Sequence, residues 1–314
     1  MPFKNKPQVF GAAINTVELG SDYKMTLGGE NVLPFYTFDG PIANAPKIGV
    51  EISDLGTEVE DAFPILKEFY AGASTVVEMA KKACTMPGAD FICLKLEGAD
   101  PNGENKSVEE CVQLAKDVCD AIDKPLVIAG CKNVDKDAEL FTKIAEALQG
   151  KNVLLYSAKE ENYKSVGAAA GLAYGQKVGA ESAVDINLAK QLNVLLTQLG
   201  VNAGAIVMNI GSAAAGYGFE YVASTIDRVK LAALSQNDAQ LQMPIMTNIA
   251  SEAWSVKEAV MPEADAPEWG SQETRGIDME VVTASACLAA GSDAVILKHP
   301  VSVEKISALI NALM

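Results

Sequence analysis

Residues 91–130 read FICLKLEGADPNGENKSVEECVQLAKDVCDAIDKPLVIAG, and this stretch decides the fold. Phe91–Leu96 is a short, continuous apolar run, the pattern of a strand covered on both faces. Ser107-Val-Glu-Glu110 is a capping box, in which the Ser hydroxyl caps the third backbone N–H and Glu110 reaches back. Val108, Cys111, Val112, Ala115, Val118, Cys119 and Ile122 then repeat at helical spacing. Lys124-Pro125 stops the helix, and Leu126–Gly130 is the next buried strand. One strand–helix–strand unit is complete within 40 residues.

The same alternation extends in both directions. Further strand-like runs lie at Ile48–Glu51, Val153–Tyr156, Val178–Glu181, Ala205–Asn209, Pro244–Asn248 and Ala294–Leu297, making eight in all. Between them run helical stripes: Leu140 to Leu148 closed by Gly150, and Leu188 to Leu199 closed by Gly200. Ile306, Leu309, Ile310 and Leu313 mark a last helix. Eight such units predict an α/β fold, a (β/α)8 TIM barrel over residues 47–314, since such a barrel takes about 250 residues. An open doubly wound sheet is the weaker alternative, because no Gly-x-Gly-x-x-Gly follows the first strand. Residues 1–46 are expected to form a strand-rich N-terminal extension packed on one barrel end, with Gly28-Gly29 and Asp39-Gly40 as turn signals. Residues 250–275, with Pro262, Pro267 and both tryptophans, read as an insertion after strand seven. Exposed, Trp254 and Trp269 would anchor a partner; otherwise they pack that loop on the barrel.

Composition narrows the function. The 314 residues carry 25 Lys and Arg against 41 Asp and Glu, a net charge of −16. That disfavours nucleic acid and anionic membrane surfaces as partners. With 49% hydrophobic and 21% charged residues the chain is an ordinary globular one. It shows no run of 18 apolar residues, and no apolar signal region follows the first residues, so a cytoplasmic location is expected. The six cysteines, Cys84, Cys93, Cys111, Cys119, Cys131 and Cys287, contain no C-x-x-C and read as core residues. A single histidine, His299, rules out a multi-histidine metal site.

In such a barrel, ligands meet the C-terminal ends of the strands. The residues there are Glu51 to Asp54, Glu97 to Gly103, Gly130 to Asn133, Tyr156-Ser157, Glu181-Ser182, Asn209 to Gly218, Thr247-Asn248 and Lys298-His299-Pro300. Gly211 to Gly218 lacks the Lys-Ser/Thr ending of a phosphate loop. Glu97 to Gly103 is also plain turn chemistry. Lys95 and Lys298 lie where barrel aldolases place a Schiff-base lysine, although an ion pair with Glu51 or Glu97 is the simpler role. No Ser-His-Asp set assembles. The mouth is rich in amides, Asn102, Asn133, Asn209 and Asn248, which suits a large amide-bearing ligand or a protein partner.

The segments KIGVEISD (47–54), FICLKLEGADPNG (91–103), VGAESAVDINLAKQLNVLL (178–196), VMNIGSAAAGYGFEY (207–221), MPIMTNIASEAW (243–254) and WGSQETRGIDMEVVTASACLAAGSDAVILKHP (269–300) resemble the small subunit of the corrinoid iron–sulfur protein. Its archaeal counterpart is the delta subunit of the acetyl-CoA decarbonylase/synthase complex. The resemblance covers nearly the whole chain and implies a non-catalytic subunit of a methyl-carrying protein of the acetyl-CoA pathway in anaerobes. It implies a heterodimer with a large subunit that carries a [4Fe-4S] cluster and the cobalamin (corrinoid), which the small subunit helps to enclose. Implied further partners are the methyltetrahydrofolate methyltransferase, acetyl-CoA synthase and a reductive activator. The strand-end rule then makes Asp54, Asn102, Tyr156, Asn209, Gly211, Ser212, Tyr217, Thr247, Asn248 and His299 the candidate corrinoid contacts. A stand-alone pterin-binding barrel methyltransferase is the alternative on the same fold.

Overall fold

The computed structural model describes residues 8–33 and 40–314. Asp39, one of the expected turn residues, lies outside them. Among the described residues ten strands run in order: β1 Val17–Leu19, β2 Met25–Leu27, β3 Lys47–Ser53, β4 Phe91–Lys95, β5 Leu126–Ala129, β6 Leu154–Ala158, β7 Lys177–Glu181, β8 Ile206–Asn209, β9 Met246–Asn248 and β10 Ala294–Leu297. Strands β3 to β10 form one parallel eight-stranded sheet in the order β8-β7-β6-β5-β4-β3-β10-β9. A parallel bridge between Met208 and Ile245 joins its two edges, so the sheet closes into a barrel.

The helices are α1 Pro64–Phe69, α2 Val76–Cys84, α3 Val108–Ala121, α4 Val134–Ala147, α5 Tyr163–Val166, α6 Ile186–Leu199, α7 Phe219–Ser235, α8 Ala250–Ala253, α9 Lys257–Val260, α10 Gln272–Ala290 and α11 Pro300–Leu313. The capping box at Ser107 and Glu110 opens α3. The left-handed Gly200 ends α6, with its N–H returning to Leu196 and Thr197. α5 runs on into a π-helical turn at Gly167–Ala173.

Strand parity explains why the strands read as unbroken apolar runs. Ile48, Val50, Ile92, Leu94, Leu126 and Ile128 face the helices. Phe91, Cys93, Val127, Leu154, Tyr156, Val207, Met246 and Ile296 face the barrel interior. Both faces are dry, so both are apolar. The interior is too narrow for a large residue on every strand. Gly49 of β3 leaves room for the Phe91 ring, which a Cβ there would meet at 2.2 Å.

The arm closes the N-terminal end of the barrel. β1 and β2 pair as an antiparallel ribbon. Val17, Leu19, Met25 and Leu27 join the interior cluster from below. The chain reverses between the two strands at Gly20 to Lys24. Gly28-Gly29, both left-handed, instead turn the chain away after β2. Beneath the floor, the Lys230 ammonium of α7 bridges the carboxylates of Glu30 and Asp293. Asp293 also accepts the Ile245 N–H at 2.6 Å. The arm is thus bolted to the barrel by a buried three-residue ion cluster.

Candidate functional site

At the C-terminal end of the strands the inward-facing positions change from apolar to polar. The inward series are Gly49-Glu51-Ser53, Phe91-Cys93-Lys95, Gly179-Glu181, Val207-Asn209 and Met246-Asn248. Each keeps a two-residue step, and each ends in a polar side chain at the mouth.

These side chains satisfy one another in three groups. Asn248 donates to Glu51 Oε2 at 2.7 Å, and the Ser251 hydroxyl donates to the same oxygen at 3.2 Å. Lys95 pairs with Glu97 at 2.8 Å, and the Ser53 hydroxyl donates to the other Glu97 oxygen. The Ser157 hydroxyl donates to Glu181 at 2.8 Å, receives the Asn209 amide at 2.9 Å, and Lys159 stands 3.5 Å from Glu181. Burial pulls the Lys95 ammonium down, but Glu51 and Glu97 hold it above its ordinary value. Burial likewise pushes Glu97 up, but Lys95 and Ser53 hold its carboxyl below the usual range. In this structure Lys95 serves as an ion-pair residue. Lys298, one residue beyond β10, lies over the Trp254 ring at 5.5 Å. Lys95, Glu181, Asn209 and Asn248 line a recess of about 110 Å³, and an open hollow of about 500 Å³ adjoins it over Lys95, Glu97 and Lys132.

The ten candidate residues separate by exposure and by parity. Asn102 is exposed in the loop after β4, its amide donating to Asp100. Asn209, Gly211, Ser212 and Asn248 line the recess and are half-buried. Gly211 takes φ +83° and its N–H returns to the Asn209 amide oxygen at 3.1 Å. Tyr156 sits deeper and is buried, its hydroxyl donating to the Met246 carbonyl at 2.8 Å. Tyr217 is exposed on the outer rim, donating to Glu258 at 2.7 Å.

Three candidates are turned away from any ligand at the mouth. Thr247 has the wrong parity: it faces the helices between inward Met246 and Asn248, is fully buried, and pairs with Ser292 at 2.8 Å. Asp54 is buried under the first loop, where it accepts the Gly98 N–H at 2.8 Å and stands 3.6 Å from Lys106. His299 is fully buried. It caps α11 by accepting the Val301 N–H on Nδ1 at 3.2 Å, which leaves Nε2 as the protonated nitrogen facing Glu273 at 3.1 Å.

The polar network around His299 is the part that sequence reasoning missed. Glu273 and Glu280 lie seven residues apart on α10, so both face inward from the same side. Glu273 accepts the Ile65 and Leu66 N–H groups at 3.1 and 2.9 Å. It therefore caps α1, whose own N-cap, Phe63, offers no side-chain acceptor. Glu280 accepts the Lys298 N–H at 2.6 Å and the His299 N–H at 3.3 Å. Two acids on an otherwise small, apolar helix stripe were the available signal. Trp254 closes this network. Its ring stacks on His299 at 5.7 Å and meets Phe63 edge-on at 5.5 Å. Trp254 thus packs the insertion on its own barrel, whereas Trp269 remains 39% exposed.

A closed parallel barrel with a polar, amide-bearing mouth defines the chain as a (β/α)8 TIM-barrel protein. The dihydropteroate synthase of Xanthomonas albilineans with 4-aminobenzoic acid superposes with a TM-score of 0.54 at 12% identity, covering 95% of this chain and 98% of that one. The Thermus thermophilus enzyme gives 0.54 at 13% identity, over 95% and 100%. Likeness at such identity is one of fold alone. The family model for the CO dehydrogenase/acetyl-CoA synthase delta subunit matches residues 9–300, and the chain belongs to that family. The acetyl-CoA decarbonylase/synthase complex subunit delta of Archaeoglobus fulgidus is 32% identical over 93% of this chain and 65% of the relative. Subunit delta 1 of Methanosarcina thermophila is 33% identical over 89% and 64%, and subunit delta of Methanothermobacter thermautotrophicus 34% over 90% and 71%. The chain thus spans about two thirds of the length of these relatives. Among the described residues no helix is long and apolar enough to cross a membrane, and no group of three His, Cys, Asp or Glu side chains forms a metal site.

Proposed function

We propose that this chain is the small subunit of a corrinoid iron–sulfur methyl carrier, enclosing with its barrel mouth a corrinoid held by a large subunit. The observation that carries this reading is the self-satisfied mouth. Glu51, Glu97 and Glu181 are each paired within the chain. The mouth offers a recess of about 110 Å³ adjoined by an open hollow of about 500 Å³ over Lys95, Glu97 and Lys132. A broad, open surface of this kind suits a large object laid across it.

The residues present fit a corrin rim. The ring's amide side chains need donors and acceptors at the edge of the mouth, and Asn102, Asn209, Ser212, Tyr217 and Asn248 supply them. Thr247, Asp54 and His299 drop out of that set because they are buried. With its only histidine buried and engaged at both ring nitrogens, the chain offers no imidazole to the metal. When bound, the corrinoid supplies the methyl-transfer chemistry between methyltetrahydrofolate and acetyl-CoA synthase. The rim residues position the ring, and the dry barrel behind them excludes water from one side. The [4Fe-4S] cluster and the reductive activator belong to the companion chains in this reading, and the cytoplasm is its setting.

Asn102→Ala and Asn209→Ala are expected to lower the corrinoid retained by the co-purified heterodimer several-fold, read from visible absorbance per mole of protein. Unchanged absorbance in both variants would count against the rim contacts. The rival pterin-methyltransferase reading predicts that the chain alone binds methyltetrahydrofolate. The expected result is no binding by calorimetry at millimolar pterin; tight binding would replace the scaffold reading with the rival.

A further inference from the structure

Four large side chains stand out into solvent together beside the mouth. Tyr217, in the turn before α7, and Tyr221, in its first turn, are 47% and 68% exposed, and Val260 and Trp269, in the insertion, 52% and 39%. The segment before α7 and the insertion meet here: the Tyr217 hydroxyl is bonded to Glu258 of α9, the Tyr221 ring lies over Gly218 beside Tyr217, and the Lys257 ammonium, one helical turn from Val260, lies 5.3 Å from the centre of the Trp269 ring.

The surface is built, not loose. Arg275 of α10 spends its guanidinium entirely on backbone carbonyls of the insertion: Nε on Glu258 at 2.7 Å, one terminal nitrogen on Gly270 at 2.9 Å, the other on Met261. The same group lies 5.7 Å from the Trp269 ring centre. Gln272 adds a bond to the Ala259 carbonyl at 2.9 Å. Exposed Tyr and Trp side chains on a rigid base are the usual anchors of a protein interface.

The rim of this surface is acidic. Glu263, Asp265 and Glu268 are exposed, and none of their carboxylates has an ion-pair or hydrogen-bond partner among the described residues. Lys257 and Arg275 are committed to the Trp269 ring and the insertion's backbone. An aromatic centre with an unpaired acidic border is complementary to an apolar centre bordered by Lys and Arg. A second copy of this chain would bring acid against acid. We infer that Tyr217, Tyr221, Val260 and Trp269 dock a companion subunit of the acetyl-CoA decarbonylase/synthase complex through a basic, apolar-centred segment of that subunit. This rests on family membership and does not depend on the corrinoid reading.

The test is equilibrium binding between the full chain and each purified companion subunit of the complex, followed by sedimentation and, where Trp269 is present, by fluorescence. The chain has two tryptophans, Trp254 and Trp269. Because Trp254 is packed and Trp269 is exposed, a fluorescence change of this chain on docking reports on Trp269.

Two double variants, Tyr221→Ala with Trp269→Ala, and Glu263→Lys with Glu268→Lys, alter only exposed side chains, so circular dichroism and the melting temperature should match the wild type. Both are expected to weaken binding of one companion subunit at least tenfold, and the charge-reversed variant should also lose the wild type's salt dependence. Leu172→Ala, an exposed change in the π-helical turn before β7, should leave binding unchanged. Wild-type affinity of both double variants for every companion subunit would overturn the assignment, and so would self-association that these same substitutions abolish. Docking lost in the variants, with no corrinoid in the wild-type complex, would support this surface and overturn the corrinoid reading.

Discussion

Lys230→Met is expected to lower the free energy of unfolding by about 3–5 kcal/mol, the usual cost of removing one partner from a buried ion pair. Lys230 is buried between Glu30 and Asp293. Burial and the neighbouring Glu30 push the Asp293 carboxyl up. Burial works to raise Glu30 as well, but Lys230 and the hydrogen bonds around it hold Glu30 below its ordinary value. Glu30 is thus the carboxylate that the ammonium chiefly compensates. Without the ammonium, the remaining negative charge has no counter-charge. Urea unfolding at neutral pH measures the loss. Adding Glu30→Gln to Lys230→Met removes that charge and should recover much of the stability. A loss below about 1 kcal/mol, the range of exposed pairs, would mean that water reaches the cluster.

Glu280→Gln is expected to flatten the pH dependence of stability between about pH 4.5 and 7. Burial pushes the Glu280 carboxyl up to about 7, against the Ser302 and Trp254 side chains and the Lys298 and His299 N–H groups, which favour the anion. The folded state thus holds a proton that the unfolded chain releases near 4.5. Stability from this group is full below that value and is lost as pH rises through about 7, with a slope approaching ~1.4 kcal/mol per unit. His299 works in the opposite sense. Burial lowers its pKa, outweighing Glu273, so its contribution is lost as pH falls. Glu273 and Lys298 also face the network, which is why the comparison of wild type with Glu280→Gln, and not the wild-type profile alone, isolates the Glu280 share. Parallel pH profiles for the two proteins would show that Glu280 carries no excess proton in the fold.

Much of the barrel was legible because its signals are local. The capping box at Ser107, the stop at Lys124-Pro125 and the left-handed Gly200 each act within a few residues. The strand limits moved by no more than two residues, as at β9, which begins at Met246 and not at Pro244. The site was legible only as a zone. Which strand-end residues face the mouth depends on pleat parity, and Thr247 beside Asn248 shows that one step reverses the answer. Sequence order also hides capping from a distance: Glu273 completes α1 across 207 residues. The role of Lys95 as an ion-pair residue, by contrast, followed from the acids at neighbouring strand ends, and the 2.8 Å contact with Glu97 bears it out.

The plug beneath the barrel has a consequence for biosynthesis. Val17, Leu19, Met25 and Leu27 leave the ribosome before any barrel strand, yet the floor they seal includes Ala294 and Ile296, and their bolt includes Asp293. The ribbon is made before the barrel and seated after it. Until Asp293 to Ile296 have emerged the oily ribbon has no berth, and a chain cut short before Asp293 would carry it exposed, a state prone to aggregate.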